Sequence, residues 1–150
     1  MKRLDVKSHC PINYALECFG DPWSLLIVRD IVYFGKKTYG EFLASEERIA
    51  TNVLANRLAD LEKKGIIKKC PCDTDKRKDI YMLTERGLDL IPLLSEMALW
   101  GAKHDVDTDA PKEWVETLSR DKEHILPLVR TTVEKGGAVF MGPNSVVSKL

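Results

Sequence analysis

Between Trp23 and Phe34 the chain carries only two charges, Arg29 and Asp30, among residues that are nearly all apolar. A helix apolar around most of its circumference has no face to give to water, so it belongs in the middle of a domain with other elements wrapped on it. Asp21-Pro22 is a strong start signal for that helix, with Asp as N-cap and Pro at the first helical position, and Gly35 stops it. At 150 residues the chain has room for one ordinary domain built around such a helix, with a short extension at most.

The segments on either side follow from periodicity. Ile12, Ala15, Leu16 and Phe19 repeat at helical spacing behind Pro11, which predicts a short helix over 11–19 that Gly20 ends. Thr38 to Ser45 predicts a third helix with Phe42 and Leu43 as its contacts. Thr51 is placed to cap a fourth, running to Lys64 and closed by Gly65, with Leu54, Leu58 and Leu61 as its buried stripe. Residues 38–64 therefore read as helix, short turn, helix. Ile66 to Lys69 and Asp79 to Leu83 are β-prone, and the polar stretch Pro71 to Lys78 joins them as a hairpin with a basic tip. Thr84 then caps one long helix to about His104, with Pro92 as a bend. After an acidic linker, Asp105 to Ala110, two short helices are expected at 111–118 and 121–135. The Gly- and Ser-rich residues from Gly136 onward give no readable pattern. The fold class is mainly α with a small antiparallel β-hairpin, a winged helix-turn-helix at 9–104 followed by a helical extension at 105–150 expected to serve dimerisation.

Net charge is zero, with 23 basic and 23 acidic residues, but the charges are not evenly spread. Residues 36–86 hold 12 basic and 9 acidic groups, whereas 87–150 hold 7 and 10. From Lys63 to Lys78 seven basic side chains face only Asp73 and Asp75, a local +5 over 16 residues. Such a run is either a solvated face or a surface for phosphates. The hairpin decides for phosphates. A helix-turn-helix sets its second helix in the major groove, and a basic hairpin beside it reaches the flanking backbone. With its leucines turned inward, helix 51–64 shows Thr51, Asn52, Ala55, Asn56, Ala59 and Lys63 on its outer side. Asn pairs bidentately with adenine, and small residues let the helix seat deeply. Thr51, Asn52, Ala55, Asn56 and Lys63 are thus the base-reading candidates, and Thr38, Lys68, Lys69, Lys76, Arg77 and Lys78 the backbone-contact candidates.

Several stretches carry a wider resemblance. They are Cys10-Pro11, Gly20-Asp21-Pro22-Trp23-Ser24-Leu25-Leu26-Ile27-Val28-Arg29-Asp30, Ile49-Ala50-Thr51-Asn52-Val53-Leu54-Ala55-Asn56-Arg57-Leu58 and Leu83-Thr84-Glu85-Arg86-Gly87. In that order, and with Met97-Ala98-Leu99-Trp100-Gly101 after them, they resemble the HxlR-type winged-helix transcriptional regulators, relatives of the MarR group. The resemblance covers about residues 9–101. It implies a homodimer that binds pseudo-palindromic double-stranded DNA and responds to a small-molecule or thiol-reactive signal. The wing departs from the Pro-rich, less charged pattern of many members. In some members the cysteine equivalent to Cys10 responds to quinones, aldehydes or oxidants, which makes Cys10 the candidate sensor thiol. Its position before a helix, near His9, Arg3 and Lys7, favours a thiolate. Cys18 is expected on a buried face.

Other classes find little support in the residues. There is no Gly-rich phosphate loop after a strand, no zincin His pair and no nucleophile elbow, so the expectation is no enzyme and no cofactor. Asp73-Thr74-Asp75 is not a calcium loop, because Lys78 stands where its turn needs Gly. Cys70-Pro71-Cys72 is too close for a zinc pair, and His9, His104 and His124 are read as surface or helix-end residues rather than as metal ligands. A thiol-redox protein would need Cys-x-x-Cys on a βαβ unit. The alternative from another class is a winged-helix protein-interaction module that touches no DNA. The longest apolar runs, such as Leu25 to Val28, are far below the ~20 residues of a membrane span. Met1 to Ser8 has basic residues but no apolar core behind them, so the expected location is the cytoplasm.

Overall fold

The computed structural model describes residues 6–150; the early basic residues Lys2 and Arg3 lie outside them. Helix α1 (Pro11–Phe19) is followed by α2 (Ser24–Phe34), which occupies the centre. Ile27, Val28, Ile31, Val32 and Tyr33 of α2 are all buried. The expected start of α2 moves two residues downstream. Asp21 still caps it, because its Oδ1 accepts from the amides of Trp23 and Ser24, each at 2.8 Å, and its Oδ2 accepts from Ser24 Oγ at 2.5 Å. Gly35 ends α2 in the left-handed region, at φ 68°, where a side chain would be strained.

Helix α3 (Tyr39–Leu43) is one turn long and starts on a capping box. Thr38 Oγ1 accepts from the Glu41 amide, and the Glu41 carboxylate reaches back to the Thr38 amide. Helix α4 (Thr51–Lys63) buries Leu54, Leu58 and Leu61 as its spacing demands. Thr51 does not cap it. Ala50 is the last extended residue, so Thr51 already lies inside the helix, and no side chain caps this end. Strands β1 (Ile67–Pro71) and β2 (Asp79–Leu83) pair antiparallel, with Ile67 opposite Leu83 and Lys69 opposite Tyr81. The Tyr81 amide also donates to the Lys37 carbonyl at 2.7 Å, which ties the wing to the segment before α3.

The single long helix expected over 84–104 is two helices, α5 (Glu85–Leu88) and α6 (Ile91–His104). Pro92 is the reason. It has no N–H to give and its ring collides with the carbonyl four residues back, so the chain turns at Asp89-Leu90 and restarts with Pro in the first turn of α6. Gly87 is fixed by close approach. A Cβ there would lie 2.2 Å from the Ile66 carbonyl oxygen.

Helices α7 (Lys112–Arg120) and α8 (Lys122–Glu134) do not stand apart from the winged helix. Trp114, Leu118, Ile125, Val129 and Val133 join the core built on α2. The unreadable tail is ordered by backbone pairing. The amides of Val139 and Phe140 donate to the Val32 and Tyr33 carbonyls, which the end of α2 leaves without helical partners. Ala138, Val139 and Val146 are buried behind that junction.

Candidate nucleic-acid interface

The outer face of α4 is as the leucine spacing requires. Thr51, Asn52, Ala55, Asn56, Ala59 and Lys63 are all exposed, opposite Leu54, Leu58 and Leu61. Among the described residues the Asn52 and Asn56 carboxamides have no protein hydrogen-bond partner, so they are free to bond elsewhere. Glu62 is exposed beside them and sets a negative charge near Lys63. The other cations of this helix are already employed. Arg57 pairs with Asp21 at 3.5 Å and with Asp60 at 3.7 Å. Lys64 pairs with Asp60 and donates to the carbonyls of Glu17 and Cys18, at 3.3 and 2.9 Å, which holds the end of α1 against α4.

The turn that aims α4 is fixed from beneath by a buried charge. Asp30 is 3% exposed. It accepts from Arg29, from Arg29 again through Nε, and from Ser45 Oγ in the turn between α3 and α4. Lys36 stands 3.7 Å from the same carboxylate and donates to Ser45 Oγ at 2.6 Å. Arg29 also grips Glu47 with two N–H groups, at 2.5 and 2.8 Å. Those bonds from Arg29 hold the Glu47 carboxyl down at about 2, against the opposing effect of burial. In the same turn Arg48 takes a positive φ of 58°, a strained position for a residue with a Cβ. The sequence showed the charged pair inside an apolar helix but no sign of Glu47 and Ser45, which lie 18 and 15 residues from their partners.

The wing places its cations unequally. In a strand alternate residues face opposite sides, so Lys69 shares the Ile67 side and Lys68 takes the other. Lys69 lies 3.8 Å from Asp79. At the tip, the amide of Cys72 bonds the Lys78 carbonyl and that of Lys78 bonds the Asp75 carbonyl. Arg77 Nε meets Asp75 at 3.2 Å but stays 91% exposed, so the contact is of small energy. Lys76 and Lys78 are exposed, with no carboxylate partner among the described residues. Thr38 is not free in the same sense, since its hydroxyl belongs to the α3 capping box.

Cys10 is exposed at the start of α1. Its thiol is held below the ordinary value by the backbone amides of Asn13 and Ile12. Both amides belong to the first turn of α1; Arg3 lies outside the described residues. Cys18 is half-buried, 3.6 Å from an Arg86 nitrogen that also bonds Tyr14. The outer side of α1 is apolar and bare. Ile12 is 72% exposed, Leu16 57%, and Trp100 on α6 70%. Among the described residues no helix is long and apolar enough to cross a membrane.

Comparison with known proteins agrees with this geometry. Residues 18–109 match the family described as HxlR-like helix-turn-helix. The uncharacterized HTH-type transcriptional regulator Rv3095 of Mycobacterium tuberculosis is 33% identical over 93 residues, which make up 62% of this chain and 58% of that protein. The chain thus covers less than two thirds of that relative's length. Among solved structures, PA1607 is similar with a TM-score of 0.62 at 35% identity, over 70% of this chain and 72% of that one. The redox regulator HypR in its oxidized form is similar with a TM-score of 0.57 at 28% identity, over 67% of this chain and 100% of that one.

Proposed function

We propose, from the premise that the chain belongs to the HxlR-like helix-turn-helix family, that it is a homodimeric, sequence-specific DNA-binding regulator of transcription acting in the cytoplasm. The observation that carries this reading is the free outer face of α4 beside the basic wing. Asn52 and Asn56 read bases, Thr51 and Ala55 seat the helix, and Lys63 stands on the same exposed face. Lys68, Lys76, Arg77 and Lys78 supply further backbone contacts, and Thr38 and Lys69 lesser ones because each is engaged within the chain. On this reading the protein works by binding. A selection of genomic fragments with purified protein tests the reading. It should return a narrow set of pseudo-palindromic sites whose affinity falls steeply with salt. Recovery of no preferred sequence, with weak salt dependence, would overturn it in favour of a protein-interaction module.

Two copies are needed because one chain offers a single reading helix. The bare apolar residues of α1 and α6 form the dimer contact, and the 105–150 extension supports it by bracing α2 and α6 from behind. The signal reaches the protein through Cys10. A neighbour described as a redox regulator and the lowered thiol at the start of α1 both support that. Alkylating wild type and Cys10→Ser in parallel checks it. Wild type should lose operator affinity and the variant should keep it; equal losses in both would transfer the role to another thiol.

A further inference from the structure

A cleft of about 540 Å³ opens where the extension meets the segment leaving α2. Phe34, Gly35 and Lys37 form one wall; the other comes from the end of α8, the loop after it and Lys149. Its charged lining is lysine alone. Lys37, Lys135 and Lys149 all border it, and no carboxylate does. Two of the three, Lys135 and Lys149, come from a segment, 87–150, whose acidic residues outnumber its basic ones by 10 to 7. Among the described residues none of the three ammonium groups has an ion-pair partner. The nearby Glu134 is taken by Arg130 at 3.3 Å. Lys149 makes one neutral contact, to Thr132 Oγ1 at 3.3 Å. Gly136, at φ 86°, leaves room for the Lys37 ammonium; a Cβ there would stand 3.2 Å from Lys37 Nζ.

Three like charges beside one cleft repel one another, and an anion between them removes that cost. The amides of Lys135, Gly136 and Gly137 are spent on carbonyls of α8, so side-chain charge, not a backbone cradle, does the selecting. The volume lies in the range of small-molecule sites. Phe34 and Met141 add apolar surface for an organic body. We propose that this cleft is a binding site for a small organic dianion, a phosphate monoester or a dicarboxylate. Lys37 links the site to the reading elements. Its amide donates to Glu41 of the α3 capping box at 3.3 Å, and its carbonyl accepts from Tyr81 of the wing. Resting on the DNA-binding reading, the occupied cleft sets negative charge at that joint and lowers affinity for DNA phosphates, as linkage then requires DNA to lower affinity for the dianion.

Calorimetric titration of DNA-free protein tests the site, with phenyl phosphate and succinate as probes and acetate at matched ionic strength as control. At least one dianion should bind saturably and acetate should not; which of the two binds assigns the ligand class. The double variant Lys135→Gln/Lys149→Gln should bind it about tenfold more weakly or worse while keeping the wild-type unfolding midpoint. If that variant does not fold, Lys37→Gln serves in its place with the same expectation. No saturable binding by either dianion, or undiminished binding by a folded variant, overturns the site. In a second arm, saturating dianion should weaken binding to a selected DNA fragment in wild type and not in the double variant. Unchanged DNA affinity overturns the coupling alone. Failure to bind any DNA overturns the DNA-binding reading and leaves the calorimetric result standing.

Discussion

Asn56 and Leu58 stand two positions apart on α4 and do opposite work. Asn56→Ala should leave the unfolding midpoint nearly unchanged and cost about 1–3 kcal/mol on the specific site only, in parallel titrations of operator and random duplex. Leu58, 2% exposed, should cost about 2–5 kcal/mol of stability when replaced by Ala, through the cavity it leaves. Glu47 makes a pH prediction. Its folded pKa, about 2, lies below its unfolded value, so its pairing with Arg29 stabilises the native state above the unfolded value and that contribution is lost as pH falls toward about 2. Wild type should therefore melt above Glu47→Gln at pH 7, and the gap should close between about pH 4.5 and 2. A gap that stays constant over that range would show that the pair does not titrate with folding.

At the scale of elements, the wing and the α5 corner separate binding from folding. Replacing Lys76 and Arg77 by Ala should weaken all duplexes alike and reduce the log–log salt slope by about 2, one unit for each lost phosphate contact. An unchanged slope in a mobility-shift titration would take the wing tip out of the interface. The corner is a packing joint. Thr84 Oγ1 donates to the Gly65 carbonyl and accepts from the Gly87 amide, while the Ile66 carbonyl fills the space of a Gly87 side chain. Gly87→Ala should force the hairpin base away from α5 and cost about 1–3 kcal/mol, read as a lower denaturant midpoint. If the midpoint does not move, the close approach is not holding the hairpin.

At the scale of the whole molecule, the proposed dimer has to set two copies of α4 one helical turn of DNA apart. Ile12 and Leu16 of α1 and Met97 and Trp100 of α6 are among the large apolar side chains left exposed in the described residues. Leu16→Glu and Trp100→Glu should each weaken self-association by about tenfold or more, measured by sedimentation, with the fold intact because neither side chain is in the core. Operator affinity should fall with it, since half-sites about 34–36 Å apart need both helices at once. A variant that stays dimeric would place the contact elsewhere.

Local chemistry determined much of this molecule. Apolar spacing fixed the inward side of α4, because a leucine stripe at three- and four-residue intervals has only one way to be buried. Gly35 and Gly65 ended helices because the chain needs a positive φ there. The order of helices and hairpin then gave the winged helix, and with it the side on which Asn52 and Asn56 stand. Tertiary structure decided the rest, wherever the partner is remote in sequence. The site around Asp30 needs Ser45 and Glu47, which nothing near Asp30 announces. The tail after Gly136 has no periodicity because its order comes from the Val32 and Tyr33 carbonyls and from a few side chains, Val139 and Val146 among them, that pack on elements remote in sequence. Cations that look alike in a charge run were sorted by neighbours: Arg57 and Lys64 by Asp60 and the end of α1, Lys68 and Lys69 by the pleat. A sequence records which groups are present, but burial and distance decide which of them are already satisfied and which remain free to bind.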